Sequence, residues 1–355
     1  MLFGKENPHG GDIYGRKVRL DFSSNINPLG TPESVVAAAS AAANKLRHYP
    51  DPFCRELVAA ISAYEGVPGD RILCGNGSAE LIYAFCRAAS VRKAVITAPA
   101  FSEYAAALHS VGAEVAEYTL NPNTGFELDD GFLDFIAASG ADAVFVCNPN
   151  NPTGRLAQSA LMKNLAVLCL EKNIRLFADE CFLDFCENAE SLKNEACGND
   201  RLFILKAFTK NYAMAGLRLG YCICPDRALL KKISEQTQPW NISTPAQRAG
   251  IAALKETEYL EKARRLIREE REFLSESLAA LGFYVCPSDA NFILFHGPCG
   301  LDRELLERGI LIRSCANYSG LGPGWYRAAV RLRAENEELI NTVKSICEDK
   351  KWQKA

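Results

Sequence analysis

Residues 142–180 read DAVFVCNPNNPTGRLAQSALMKNLAVLCLEKNIRLFADE. Two short apolar runs, AVFVC and IRLFA, flank LAQSALMKNLAVLCLEKN at 156–173, where apolar positions recur at helical intervals. Runs rich in Val, Leu and Phe without polar alternation predict strands buried on both faces. Strand, helix and strand in that order form one parallel crossover. The same texture extends in both directions. Strand-like runs stand at 70–76, 93–99, 113–120, 202–208 and 219–225, and helical patterns at 32–46, 53–66, 78–90 and 102–112. The prediction is an α/β fold with a mainly parallel central sheet in a large domain.

Beyond Thr244 the pattern changes. One long charged helix is predicted over 246–282, with Ile251, Leu254, Leu260, Ala263, Ile267, Leu274 and Leu278 as its apolar face. Shorter runs follow, FYVCPS, NFILFHG, ILIRSC and AAVRLRA, then a final helix. This predicts a smaller α+β C-terminal domain. The division expected is an N-terminal arm over 1–30, a large domain over 31–243 and a small domain over 244–355.

The 355 residues include 40 Lys+Arg against 43 Asp+Glu, and 48% are hydrophobic. A net charge of −3 with that apolar content excludes wholesale disorder and leaves no basic surplus for nucleic acid. No apolar run reaches the length of a membrane span, and MLFGKENPHGGD lacks the layout of a signal peptide. Fourteen Cys occur without a CxxC pair, mostly inside apolar runs. They predict reduced core thiols, no metal site and a cytoplasmic location.

Ligands in open α/β sheets bind beyond the carboxyl ends of the strands. Four such junctions carry suggestive residues. Gly75-Asn76-Gly77-Ser78-Ala79-Glu80 offers glycines and a helix start, suited to an anion or to a plain Ser-capped turn. Asn148-Pro149-Asn150-Asn151-Pro152-Thr153-Gly154 is a rigid turn rich in amides. Asp179 ends a buried run and needs a cation or several donors. Lys210, with Arg218 eight residues on, follows another buried run and could serve as an amine nucleophile. Each alone also fits a structural role.

The order and spacing of the four resemble the pyridoxal-phosphate enzymes of the aspartate aminotransferase fold (fold type I), over nearly the whole chain. The resemblance implies pyridoxal 5′-phosphate as cofactor. Lys210 would hold it as a Schiff base and shuttle protons. Asp179 would pair with the pyridinium nitrogen and Asn151 with the phenolate oxygen. Gly77, Ser78, Ala79, Thr209 and Arg218 would surround the phosphate, and Phe101 would stack on the ring. Tyr49 matches a tyrosine that reaches the phosphate from a neighbouring subunit, which implies a homodimer with shared active sites. Ala207 departs from the pattern, since many relatives carry Ser or Thr there.

Two branches of the family fit, histidinol-phosphate aminotransferases and the threonine-phosphate decarboxylases of cobalamin side-chain synthesis. His9-Gly10-Gly11, the stretch DFSSNINP at 21–28, Phe182 in place of the usual Tyr, and QPW at 238–240 favour the decarboxylases. Substrate contacts implied are His9, Gly10, Asn25 and Asn151, with Arg327 on the α-carboxylate and Arg313 on the phosphate of a small phosphorylated amino acid. Arg331 and Arg333 are expected to be structural, on the same strand. A cofactor-sensing regulator would need a DNA-binding segment for which the thirty residues before the first helix leave no room. A nucleotide-binding protein would need GxxxxGK[ST] or GxGxxG, and neither occurs.

Overall fold

The computed structural model describes Asn7 and residues 9–349. Its strands, in chain order, are β1 (Leu20–Asp21), β2 (Ile72–Gly75), β3 (Lys93–Ala98), β4 (Glu114–Thr119), β5 (Ala143–Cys147), β6 (Arg175–Asp179), β7 (Leu202–Ala207), β8 (Gly220–Ile223), β9 (Tyr284–Val285), β10 (Phe292–His296), β11 (Ile310–Leu311), β12 (Arg313–Ser314) and β13 (Trp325–Ala329). Seven make one sheet in the order β2-β8-β7-β6-β5-β3-β4. Only β8 runs against its neighbours; every other pairing in that sheet is parallel. All seven apolar runs predicted as strands are found in this sheet.

Apolar layers cover both faces of the sheet, as strands without polar alternation require. On one face Phe145, Phe177 and Phe203 stand in register on β5, β6 and β7, their rings stacked 4.7 and 4.9 Å apart. Phe85, from the helix Ser78–Ala88, meets Phe177 edge-on at 5.0 Å. This ladder fixes how that helix sits on the strands whose ends carry the site.

A second, antiparallel sheet has the order β12-β13-β10-β9. The N-terminal arm packs beside it: β1 pairs with β11 in a separate two-stranded parallel sheet, and Phe22 is fully buried among Leu274, Leu278 and Tyr326.

The helix expected over 246–282 is two helices, Thr244–Ala253 and Tyr259–Ala280. The break is anchored to the chain's beginning: Glu256 accepts the Ser34 hydroxyl and the Tyr259 hydroxyl donates to the Gly30 carbonyl. Thr244–Ala253 packs closely because Gly250 has no side chain; a Cβ there would lie 2.6 Å from Leu219 Cδ2. Tyr259–Ala280 then crosses from one layer to the other. Ala263 and Ile267 lie against the large sheet, whereas Leu274 and Leu278 join the small one. Helices Gly131–Ser139 and Arg227–Gln236 were not anticipated. The last strand also ends earlier than expected, at Ala329. Arg331 and Arg333 therefore lie outside it, paired with Glu335 and Glu270.

Replacing Phe177 by Ala should empty the centre of the ladder. We expect a loss of about 3–5 kcal/mol, read from urea unfolding. A loss below about 1 kcal/mol would show that the ladder does not hold the sheet's helical cover.

Candidate active site

Parallel strands bring their carboxyl ends to one edge, so the loops after β2, β3, β5, β6 and β7 meet there. Antiparallel β8 begins at the same edge, and delivers Arg218 two residues before Gly220. A cavity of about 400 Å³ opens at this edge, between the large sheet, the N-terminal arm and the small sheet.

At the end of β2, Gly77 is the N-cap of the helix Ser78–Ala88, at φ +75°, and no side chain caps that end. The alternative of a Ser-capped turn is thereby overturned, because Ser78 is the first helical residue. Ser78 and Ala79 line the cavity with first-turn N–H groups that have no intrahelical partner. A Cβ on Gly77 would stand 2.5 Å from Arg218 Nη2, so glycine is what lets this guanidinium lie over the helix start. Thr209 and Ala207 line the same end, and the hydroxyl missing at Ala207 is a donor missing from the cavity wall.

The turn after β5 is fixed from within. Asn150 Nδ2 donates to the Pro99 carbonyl (3.1 Å) and to Thr153 Oγ1, and Asn148 Oδ1 accepts from the Ala157 N–H. Asn151 Oδ1 accepts from Arg327 Nη1 at 2.6 Å, which leaves its Nδ2 as the donor it can offer. Phe101, at the start of the helix Ser102–Ser110, provides an aromatic wall.

Asp179, ending β6, is buried. Its Oδ1 accepts the Cys181 N–H at 2.9 Å and its Oδ2 the Tyr104 hydroxyl at 2.5 Å. Burial pushes this carboxyl above its ordinary value, while the hydrogen bonds from Cys181 and Tyr104 pull it back. Lys210 lies on the short helix Phe208–Asn211 after β7. Burial, and then the facing Arg327 guanidinium, push its amine down to about 8. Asn27 braces this turn, donating its N–H to the Lys210 carbonyl (3.2 Å) and its Nδ2 to the Asn211 carbonyl (2.8 Å).

Arg313 and Arg327 stand directly opposite each other on β12 and β13, which puts both side chains on one face. Arg327 is 6% exposed; Nη2 donates to the Ser23 carbonyl at 2.8 Å and Nε has no partner. Among the described residues no carboxylate lies within ion-pair reach of Lys210, Arg218 or Arg327. The arm supplies His9, Gly10 and buried Asn25, whose Oδ1 is without a partner. Gly10 is required by proximity, since a Cβ would fall 2.0 Å from the Ser23 carbonyl oxygen.

Of the residues assigned from the sequence to cofactor or substrate contact, all but two line this cavity. Gly77 borders it through Arg218, and Tyr49 lies outside, 78% exposed and stacked on Trp240 at 4.5 Å. Sequence reasoning missed Tyr104 and Glu103. Glu103 meets His9 Nε2 at 2.8 Å and accepts the Tyr83 hydroxyl at 2.7 Å. Both lie beside Phe101, so only helical phase distinguishes them from neighbours that face away. Cys147 and Cys181, buried at and just beyond the ends of β5 and β6, also line the cavity. All fourteen cysteines are free thiols.

Comparison with known proteins bears on this geometry. Residues 17–343 match the family of aminotransferase class I and II. The threonine-phosphate decarboxylase of Salmonella typhimurium is 36% identical over 331 residues, covering 92% of this chain and 91% of that protein. The crystal structure of the histidinol-phosphate aminotransferase from Clostridium acetobutylicum superposes with a TM-score of 0.86 at 32% identity, over 93% of this chain and 99% of the other. That of the L-threonine-O-3-phosphate decarboxylase from Porphyromonas gingivalis gives 0.83 at 25% identity, over 93% and 99%. With its fold, its lysine-bearing cavity and a match that spans most of its length, the chain belongs to the aminotransferase class I and II family.

Proposed function

We propose that the protein is a pyridoxal 5′-phosphate enzyme acting on a small phosphorylated amino acid, and that it removes the α-carboxylate. The supporting observation is a cavity in which Lys210 faces Arg327 with no carboxylate paired to either. Such a cavity favours an anionic occupant. The donor set suits this cofactor in particular. Open N–H groups at Ser78 and Ala79, with Thr209 and Arg218, suit a phosphate; buried Asp179 suits a pyridinium; Lys210 suits an aldehyde.

Bound there, the cofactor supplies a ring that withdraws electrons from an amine-linked carbon. The chain's own residues do the rest. Lys210 has the amine nucleophile: with a pKa of about 8, roughly a tenth is neutral at pH 7, several hundred times more than for an ordinary lysine. The same Nζ, once released, can hold a proton for return to the substrate's α-carbon. Asp179 holds a proton at the pyridine nitrogen. Arg327 would bind the α-carboxylate, oriented by the Asn151 amide oxygen, whose Nδ2 would remain as a donor to the cofactor. Arg313 and His9, with Gly10 and Asn25 beside them, receive the substrate phosphate. Phe182, buried and edge-on to Phe292 at 5.1 Å, offers no hydroxyl where the aminotransferase branch has one. Its apolar wall, the arm residues and the similarity to the Salmonella protein together favour decarboxylation.

The exposed Tyr49–Trp240 stack suits a homodimer in which Tyr49 completes the neighbouring cavity. A reducing, cytoplasmic setting suits fourteen free thiols. No described helix is long and apolar enough to cross a membrane.

Three outcomes are expected. Capture of pyridoxal 5′-phosphate by cofactor-free protein should speed up about tenfold per pH unit and level off above about pH 8, as the Lys210 amine loses its proton. Borohydride should fix the cofactor to Lys210, and Lys210→Arg should abolish both; a rate flat between pH 6 and 9 would contradict the lowered amine. O-phosphothreonine alone should yield carbon dioxide, with kcat/KM at least about a hundredfold lower in Arg327→Met. Glutamate from histidinol phosphate and 2-oxoglutarate, with no gas from phosphothreonine, would make the protein an aminotransferase. Sedimentation should give twice the 38.9 kDa chain mass. Mixing inactive Tyr49→Ala and Lys210→Ala chains should then restore activity at one site per mixed dimer; a monomer, or no recovery, would remove Tyr49 from the site.

A further inference from the structure

Asp179 is a buried carboxylate with no cation within ion-pair reach among the described residues. Burial without a counter-charge favours the neutral acid. A neutral Asp179 could not hold a proton on a pyridine nitrogen, so the proposed function needs something to keep it ionised. Three donors touch it, one of them the Cys181 thiol. The Cys181 N–H is backbone, common to any residue at that position. The third is the Tyr104 hydroxyl, 2.5 Å from Oδ2.

Tyr104 is built for that contact. Its side chain is 1% exposed, and the ring is held by Phe101 edge-on at 5.6 Å, with Phe145 and Phe177 at 5.8 and 6.3 Å. The hydroxyl therefore has little freedom to turn away. Burial and the adjoining Asp179 charge raise its pKa well above the ordinary phenol value, so it remains the donor at any working pH.

We propose that Tyr104 is a positioning residue that keeps Asp179 ionised and fixes its carboxylate plane, leaving that carboxylate free to receive the cofactor's ring nitrogen. The idea deepens the reading of the cavity as a pyridoxal-phosphate site and rests on it. The titratable groups around Asp179 are Tyr104 from the helix Ser102–Ser110, Cys147 from β5, Cys181 after β6 and Lys210 after β7. Burial holds both thiols neutral, so the groups that favour the carboxylate are the Cys181 thiol as a donor, Tyr104 and Lys210.

The test uses the full chain as wild type, Tyr104→Phe, Asp179→Asn and the double variant, with pyridoxal 5′-phosphate as the probe. Loss of one hydrogen bond to a charged group should weaken cofactor affinity about tenfold to hundredfold in Tyr104→Phe. In the Asp179→Asn background the same change should add almost nothing, because Tyr104 acts through Asp179. In cofactor-free protein, the Asp179 carboxyl carbon, followed by ¹³C NMR, should titrate about one pH unit or more higher in Tyr104→Phe. Incorporation of 3-fluorotyrosine at position 104 keeps the ring and strengthens the donor, so it should move that midpoint down. An unchanged carboxyl titration, or an equal affinity loss with and without Asp179, would overturn the proposal. If wild type took up no cofactor, the proposed function would fall, and the carboxyl titration would still decide the role of Tyr104.

Discussion

Like charges gathered into one cavity are the constraint that the rest of the site answers. Lys210, Arg218, Arg313 and Arg327 all line about 400 Å³, with Asp179 and Glu103 as the carboxylates and Glu103 already engaged by His9. At an effective dielectric near 20, two unit charges 4 Å apart repel by about 4 kcal/mol. Such a site must be held by groups that do not neutralise it. Backbone and amide oxygens fill that role. Arg327 rests on the Ser23 carbonyl and the Asn151 amide oxygen, and Arg218 on the Ala215 carbonyl. These acceptors orient guanidinium groups and leave their charge for a ligand. The Lys210 amine takes the other way out and gives up its proton more easily.

Lys206 shows how much of this is placement. It lies four residues before Lys210, within β7, and is itself buried. Alternation along β7 puts it on the face opposite Phe203, where Glu65, Glu180 and Asp184 stand 3.5–3.7 Å away. Those carboxylates outweigh burial and raise its pKa. One lysine is thus locked as a structural cation and the other left as a potential nucleophile.

The sheet was legible because its strands are buried on both faces, and nothing but apolar run length is needed to see them. The junction residues were legible because they directly follow those runs: Gly77, Asn151, Asp179 and Lys210 each stand within four residues of a strand end. What failed to show shares a different physical origin. Tyr104 and Glu103 reach the cavity from a helix, and apolar periodicity does not separate a helix's ligand-facing side from its core-facing side. The break at 254–258 was hidden because propensity continues across it, while the contacts that enforce it come from Ser34 and Gly30, more than 200 residues away in sequence. Tyr49 was recognisable as a motif, yet among the described residues its ring partner is Trp240, outside the cavity.

The N-terminal arm connects these parts. Its β1 pairs with β11, Phe22 sits in the small sheet's core, and the Ala329 N–H donates to the Phe22 carbonyl. One residue on, the Ser23 carbonyl holds Arg327, and four residues further Asn27 holds the Lys210 turn. Six residues, bending at Ser23 and Ser24, therefore touch the small sheet, Arg327 and the lysine-bearing helix in succession. Extended backbone spans at most about 3.3–3.6 Å per residue, so residues 22–27 can bridge only about 20 Å. With both ends anchored in buried structure, that short span ties the distance between Arg327 and Lys210 to main-chain hydrogen bonds instead of to the flexible side chains themselves. The arm is thus as much a part of the cavity's geometry as the sheet edge that supplies Asp179 and Lys210.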